Sequence, residues 1–169
     1  MVLSIIPTKY TTSPAAVTFM KSKENCAEWN DTEKVYMPYP DSGGISTIGW
    51  GHRLTHVDIA SGIFQNGLSQ HGCDLLFLQD LRPTEKYINS TGLAQNQGEF
   101  DAMVDFAFNA GWGNFALLRR LGISDPINWM HFIHDAKGAM LPGLVSRRQQ
   151  DLAWFLGRSF AEVANTYRV

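Results

Sequence analysis

One stretch of the chain, residues 39–52, constrains the fold more than any other. It reads Tyr-Pro-Asp-Ser-Gly-Gly-Ile-Ser-Thr-Ile-Gly-Trp-Gly-His. The adjacent glycines allow the positive φ of a tight turn, and the isoleucines and threonine that follow favour a strand. The stretch therefore predicts a β-hairpin that brings Asp41, before the turn, close to Thr47 on the returning strand. A general base needs such a neighbour to orient a water molecule.

The pattern Tyr-x-Asp-x-x-Gly-x-x-Thr-Ile-Gly-x-Gly-His resembles the signature of phage-type lysozymes, the muramidase endolysins. Stretches at residues 78–81, 99–111 and 143–152 are similar to the same family. In that family the catalytic set is a glutamate that ends the first helix, the aspartate before the turn and the threonine after it. The resemblance therefore implies that Glu24, Asp41 and Thr47 are the catalytic residues of a lysozyme.

The position of the acid depends on the first helix. Ser13 and Pro14 are typical of an N-cap and a first helical residue, and the helix is predicted to end near Glu24 and Asn25. Residues 19–24 carry the helical pattern that family members place before their acid. Glu24 is therefore the preferred acid.

The segment that follows departs from the family. Glu24 and Asp41 lie seventeen positions apart, about twice the usual family spacing, so residues 25–40 are interpreted as an inserted loop followed by an edge strand. Glu28 and Glu33, inside this segment, remain alternative acids. Trp29 and Tyr36 are candidates for a loop that controls specificity.

The implied reaction is hydrolysis of the β-1,4 bond between N-acetylmuramic acid and N-acetylglucosamine in bacterial peptidoglycan. Glycoside hydrolysis uses one protonated carboxyl group and one ionised carboxylate. Glu24 would be the general acid, Asp41 would activate water or stabilise the developing cation, and Thr47 would position the water. The resemblance implies inversion. The alternatives are a lytic transglycosylase, which needs no activated water, and an inactive lysozyme-like protein that binds peptidoglycan.

Several other residues receive roles. Asp80 lies in an apolar run, where an unpaired carboxylate is expensive, and the resemblance implies a structural ion pair with His52. Tyr39, Trp50 and Asn109 are candidate substrate-binding residues, although a helix-ending role accounts equally well for Asn109. The histidine pairs 52/56 and 131/134 lack the other residues of a zinc motif, so neither a metal nor another cofactor is expected.

The remaining periodicity predicts an α+β, lysozyme-like fold. Ser69 is predicted to cap a long helix that is apolar on all sides, buried, and kinked by Pro83. A second buried helix spans residues 100–109, and shorter helices follow to the C-terminus. We expect a single domain over residues 1–169, with an N-terminal arm at 1–13, in which the long helix joins a small sheet lobe to a helical lobe.

Composition limits the partners and the location. The net charge of −2 and the scattered lysines and arginines favour neither nucleic acid nor an anionic membrane as a partner. The two cysteines, Cys26 and Cys73, are expected to be free thiols. The N-terminus, interrupted by Pro7, is typical of neither a signal peptide nor a membrane anchor. We therefore expect a monomer made in the host cytoplasm, which reaches the wall through a holin-type pore or upon lysis.

Overall fold

The computed structural model describes residues 10–24, 26–41 and 43–168. The helices are α1 (Pro14–Lys23), α2 (His56–Ser61), α3 (Gln70–Thr91), α4 (Gln97–Ala110), α5 (Trp112–Leu121), α6 (Pro126–Trp129), α7 (Pro142–Leu156) and α8 (Phe160–Thr166). The strands are β1 (Trp29–Asn30), β2 (Val35–Tyr36), β3 (Tyr39–Pro40), β4 (Ser46–Ile48) and β5 (His52–Arg53). Within the described residues, no helix is both long and apolar enough to span a bilayer.

The chain forms two compact units, one of Val17–Pro83 and one that combines Met1–Ala16 with Thr84–Val169. The first unit carries the strands, and the second carries α4 to α8. Both α1 and α3 contribute residues to each unit. This arrangement confirms the predicted fold class, an α+β chain with a small sheet lobe, a long helix and a helical lobe.

The predicted hairpin at residues 39–52 is present in the first unit. Strands β3, β4 and β5 form an antiparallel sheet in that order. The Asp41 N–H donates to the Ile45 carbonyl over 2.8 Å, and Gly44 supplies a φ of 77° in the turn. Thr47 lies opposite Tyr39 on one side and opposite Arg53 on the other.

The segment before this sheet differs from the prediction of a loop followed by an edge strand. It contains its own hairpin, in which Trp29 pairs with Tyr36. The Asn30 side chain accepts hydrogen bonds from two backbone N–H groups of the turn, and Lys34 takes a φ of 56°. Because a side-chain cap and a left-handed lysine replace the usual glycine, the turn has no strong sequence signal.

The prediction that α3 is buried on all sides is wrong. Its fully buried apolar residues share one face, and they are Cys73, Phe77, Leu81 and Ile88. Leu75 and Leu78 are 49% and 42% exposed. At 100° per residue, these two leucines point well away from the direction of Phe77. Pro83 lies within the helix, which continues to Thr91, and the kink there stays a prediction.

The second unit is built on the predicted buried helix at residues 100–109, which is α4. It packs against α7, and Phe100 to Ala107 are buried. The described part of the N-terminal arm is tied to this unit, because the Tyr10 N–H donates to Asn89 and the Ser13 N–H donates to Asp101. The remainder of the arm, residues 1–9, lies outside the described residues, as does Asn25.

Candidate active site

A cavity of about 500 Å³ lies in the sheet-bearing unit. It is lined by Glu24, Ala27, Glu28, Tyr39, Pro40, Asp41, Thr47, Gly51 and Arg53. The three predicted catalytic residues and the candidate substrate residue Tyr39 are therefore lining residues of the same cavity. Six of the nine lining residues have polar or charged side chains, as expected of a site that binds a sugar chain.

Glu24 directly follows α1, as predicted. Its N–H donates to the Lys21 carbonyl over 3.2 Å, which continues the helical hydrogen bonding by one residue. A Cβ atom on Gly51 would lie 3.4 Å from Glu24 Oε2. The carboxyl group thus lies against a bare stretch of backbone, and Gly51 has a φ of 86° that also favours glycine.

Asp41 is held by its own turn. Its Oδ1 accepts hydrogen bonds from the N–H of Ile45 at 2.9 Å and of Gly43 at 2.8 Å. These two backbone bonds, with the Arg53 guanidinium 3.6 Å from Oδ2, lower the pKa of the Asp41 carboxyl. Asp41 is therefore ionised at neutral pH, as the carboxylate partner in glycoside hydrolysis must be.

Thr47 lies at the centre of the sheet and is 2% exposed. Its hydroxyl donates to the Ile45 carbonyl over 3.0 Å. Because the proton is used in this bond, the hydroxyl oxygen keeps its acceptor capacity for a water molecule.

The alternative acids have different positions. Glu28 lines the cavity, and its φ of 59° is uncommon for a residue other than glycine. Glu33 lies in the turn of the β1–β2 hairpin, where its N–H donates to the Asn30 side chain. The structure therefore keeps Glu28, but not Glu33, beside Glu24.

Sequence reasoning gave no role in this cavity to four of its lining residues, Ala27, Pro40, Gly51 and Arg53, and the last two are described here. A signal for them existed, because the Gly-Trp-Gly run between Ile48 and His52 predicts a second tight turn. The register of that turn pairs Ile48 with His52 and Thr47 with Arg53. Arg53 therefore lies in the same cross-strand row as Thr47.

His52 and Asp80 lie against each other, with Nδ1 3.0 Å from both carboxylate oxygens. The hydrogen bond to Asp80 is the main cause of the raised pKa of His52. The side chains are 21% and 27% exposed. The contact connects β5 with α3, and neither residue lines the cavity.

The other two candidate substrate residues lie elsewhere. The Trp50 indole N–H donates to Asp74 over 2.7 Å, and Lys21 Nζ lies 5.1 Å from its ring centroid. Asn109 belongs to the helical unit, where its Oδ1 accepts a hydrogen bond from Arg148 over 3.2 Å. It lines a separate cavity of about 430 Å³. The roles of Trp50 and Asn109 in substrate binding stay predictions.

Neither cysteine is suited to nucleophilic chemistry. Both are free thiols, as predicted. Burial, reinforced by the neighbouring Cys73, raises the pKa of Cys26 to about 12, and burial also raises the pKa of Cys73. A thiol with so high a pKa is almost entirely protonated at neutral pH. Over residues 10–24, 26–41 and 43–168, no three His, Cys, Asp or Glu side chains form a group that could hold a metal ion.

Comparison with known proteins identifies the family. The sequence model of the phage lysozyme family matches residues 30–151. The chain belongs to the phage lysozyme family. The matched range contains Asp41 and Thr47, but it begins after Glu24. No curated protein shows significant sequence similarity to the chain.

Solved structures of lysozymes share the fold of this family member. It is 28% identical to a mutant P22 lysozyme, with a TM-score of 0.65 over 87% of this chain and 99% of the other. It is 24% identical to the muramidase domain of SpmX from Asticaccaulis excentricus, with a TM-score of 0.67 over 88% and 99%. An endolysin from the Escherichia coli O157:H7 phage FAHEc1 is 19% identical, with a TM-score of 0.61 over 88% and 94%. Together with the family match, these similarities support a lysozyme-like peptidoglycan hydrolase.

Proposed function

We propose that this member of the phage lysozyme family is an N-acetylmuramidase, which hydrolyses the β-1,4 bond between N-acetylmuramic acid and N-acetylglucosamine in peptidoglycan. The observation that carries the proposal is the shared cavity of Glu24, Asp41 and Thr47. Asp41 is kept ionised by two backbone N–H groups, so the site offers a fixed carboxylate beside a second carboxyl group.

In the proposed reaction, Glu24 donates a proton to the leaving glycosidic oxygen. Asp41 removes a proton from the attacking water or stabilises the positive charge that develops on the sugar. Thr47 accepts a hydrogen bond from that water and so fixes its position. The expected outcome is inversion at the anomeric carbon, which can be measured by proton NMR of the first products.

The biological role we propose is that of an endolysin. The enzyme would be made in the host cytoplasm and reach the wall through a holin-type pore or upon lysis, where it would act as a monomer. The similarity to an endolysin and to a P22 lysozyme supports this part of the proposal.

The test compares three glutamate variants in one assay. Wild type, Glu24→Gln, Glu28→Gln and Glu33→Gln are added to chloroform-permeabilised Gram-negative cells, clearing is followed by turbidity, and the products are analysed by mass. General acid catalysis is typically worth about 10² to 10⁴ in rate, so Glu24→Gln should lose at least about 10²-fold. Glu28→Gln should keep most of its activity, and Glu33→Gln, with its side chain outside the cavity, is the matched control.

Each other outcome would replace part of the proposal. Loss of activity in Glu28→Gln with an active Glu24→Gln would move the acid into the segment between α1 and β3. Anhydromuramyl products would indicate a lytic transglycosylase in place of a hydrolase. Binding to the wall without release of reducing ends would indicate an inactive binding protein.

A further inference from the structure

Arg53 differs in charge from the other ionisable side chains of the candidate active site. Of the described residues that line the cavity, it is the only cation, whereas Glu24, Glu28 and Asp41 are carboxylic acids. An anionic substrate would be repelled by such a cavity unless its charge met the arginine. The position of this one positive charge therefore bears on which substrates the site accepts.

The sheet determines where Arg53 lies. Tyr39 on β3, Thr47 on β4 and Arg53 on β5 are directly opposite one another in the register. Residues opposite each other in antiparallel strands project from the same face of the sheet. The Arg53 side chain therefore shares the face of Thr47, and all three residues line the cavity.

The guanidinium group retains unused hydrogen-bonding capacity. Arg53 Nη2 lies 3.6 Å from Asp41 Oδ2, which is a charge interaction longer than a good hydrogen bond. The other oxygen of Asp41 is already occupied by two backbone N–H groups. Arg53 is 69% exposed and has five N–H donors, so most of them face solvent within the site.

We propose that Arg53 is a specificity-determining residue that binds a carboxylate of the substrate beside the bond to be cut. This inference rests on the proposed function. Arginine pairs with carboxylates through two parallel hydrogen bonds, which makes it selective for that group. The N-acetylated sugar rings are neutral, but the lactyl substituent of the muramyl residue ends in a carboxylate when no peptide is attached, and the peptide stem carries carboxylates of its own.

The experiment uses four substrates that differ only in these charges. They are soluble peptidoglycan strands with peptide stems, the same strands after amidase removal of the stems, and each of these after carbodiimide coupling to methylamine, which neutralises carboxylates. kcat and KM are measured for wild type, Arg53→Ala, Arg53→Lys and Arg82→Ala. Arg82 is an exposed arginine of α3 outside the cavity, and Arg82→Ala is the matched control.

Arg53→Ala should raise KM about tenfold on substrates whose relevant carboxylate is free, the effect of losing about 1.4 kcal/mol of binding. On the neutralised substrates its KM should match that of wild type at pH 7, where the two backbone hydrogen bonds keep Asp41 ionised without the arginine. Neutralisation should raise the KM of wild type by a similar factor, because each change removes the same contact. Arg53→Lys should lie between the two, and Arg82→Ala should behave as wild type. An effect confined to strands with stems assigns the carboxylate to the peptide, and one confined to strands without stems assigns it to the lactyl group. An effect on both kinds of strand means that Arg53 binds either carboxylate.

A role that acts only through Asp41 would give a different result. Arg53→Ala would then lower kcat by the same factor on all four substrates at pH 7, with no dependence on substrate charge, and this would overturn the inference. If wild type is active and Arg53→Ala is unchanged on every substrate, the inference also fails while the proposed function stands. If wild type cleaves none of the four, the proposed function itself is wrong.

Discussion

At the scale of single residues, Asp41 owes its chemistry to its own turn. The two N–H groups that lower its pKa belong to Gly43 and Ile45, within four positions of the carboxylate. Such a local arrangement can be predicted from sequence, because the glycines and the strand residues that create it are adjacent. Arg53 was missed because its proximity to Asp41 depends on the register of a second turn, between β4 and β5.

The pair of His52 and Asp80 gives a prediction with a definite sign in pH. A raised pKa means that the folded state favours protonated His52, so the stabilisation is fully present below the unfolded value of about 6.5 and is lost as pH rises through the folded value. Asp80→Asn should therefore lower the free energy of unfolding by on the order of 2 kcal/mol at pH 5.5 and by less at pH 9. Urea denaturation at both pH values measures this.

Residual wall-clearing activity should remain in Asp80→Asn, because the pair lies outside the cavity. The exposed acid Asp31 provides a control, and Asp31→Asn should change stability little at either pH. A loss of stability that is equal at the two pH values, or complete inactivation of Asp80→Asn with unchanged stability, would contradict a structural role for this pair.

At the scale of elements, the helices and strands that were predicted correctly are those whose sequence signals lie within the element itself. The bounds of α1 and the end of α4 were predicted because capping and apolar spacing are local to each helix, but α4 begins at Gln97, three residues before the predicted start at residue 100. The pattern of α3 was misjudged because apolar content alone does not say which face will be covered, and Leu75 and Leu78 remain exposed. The β1–β2 hairpin was missed because its turn carries no strong sequence signal and because Tyr36 also pairs with Leu68, 32 positions later in the chain.

The stability of this hairpin depends on Gly67, which gives a prediction at this scale. Tyr36 exchanges two backbone hydrogen bonds with Leu68, over 2.7 and 2.9 Å. A Cβ atom on Gly67 would lie 2.7 Å from the Tyr36 carbonyl oxygen, and Gly67 has a φ of 71°. Gly67→Ala should therefore lower the free energy of unfolding by on the order of 3 kcal/mol, from backbone strain and a clash with backbone.

The matched control is Gly92→Ala. Gly92 has a similar φ of 65°, but nothing lies within 4 Å of its Cβ position. This variant should show only the strain, about 1 kcal/mol. The midpoint of urea unfolding is measured for each variant. Equal midpoints would contradict the close approach of Gly67 to the Tyr36 carbonyl of the hairpin.

At the scale of the whole molecule, the fold class was predictable because the motif at residues 39–52 and the helical periodicity agree with one family. Which residues belong to the active site was harder to predict from the sequence. The choice among Glu24, Glu28 and Glu33 depends on the path of residues 25–40, and that path is determined by packing in three dimensions. Hydrogen bonding within the β1–β2 turn holds Glu33 away from the cavity, whereas Glu28 lines it.

The helical unit contains a buried charge cluster whose disruption tests how the molecule unfolds. Asp105 accepts hydrogen bonds from Arg147 at 2.7 and 2.9 Å, and Arg148 pairs with Asp151 at 2.9 Å. Asp105 and Arg148 are fully buried. Asp105→Asn leaves the arginines short of negative charge, which should cost about 3–5 kcal/mol and lower Tm by on the order of 10 °C.

The same variant should also lower the temperature at which the sheet-bearing unit opens, because α1 and α3 belong to both units and a helix unfolds cooperatively. Far-UV circular dichroism follows the helices, and alkylation of the buried Cys73 follows the sheet-bearing unit. We expect both signals to shift together in Asp105→Asn and neither to shift in the surface control Glu33→Gln. If Cys73 stays protected up to the wild-type temperature while the helical signal is lost earlier, the two units unfold independently, and α3 does not couple them.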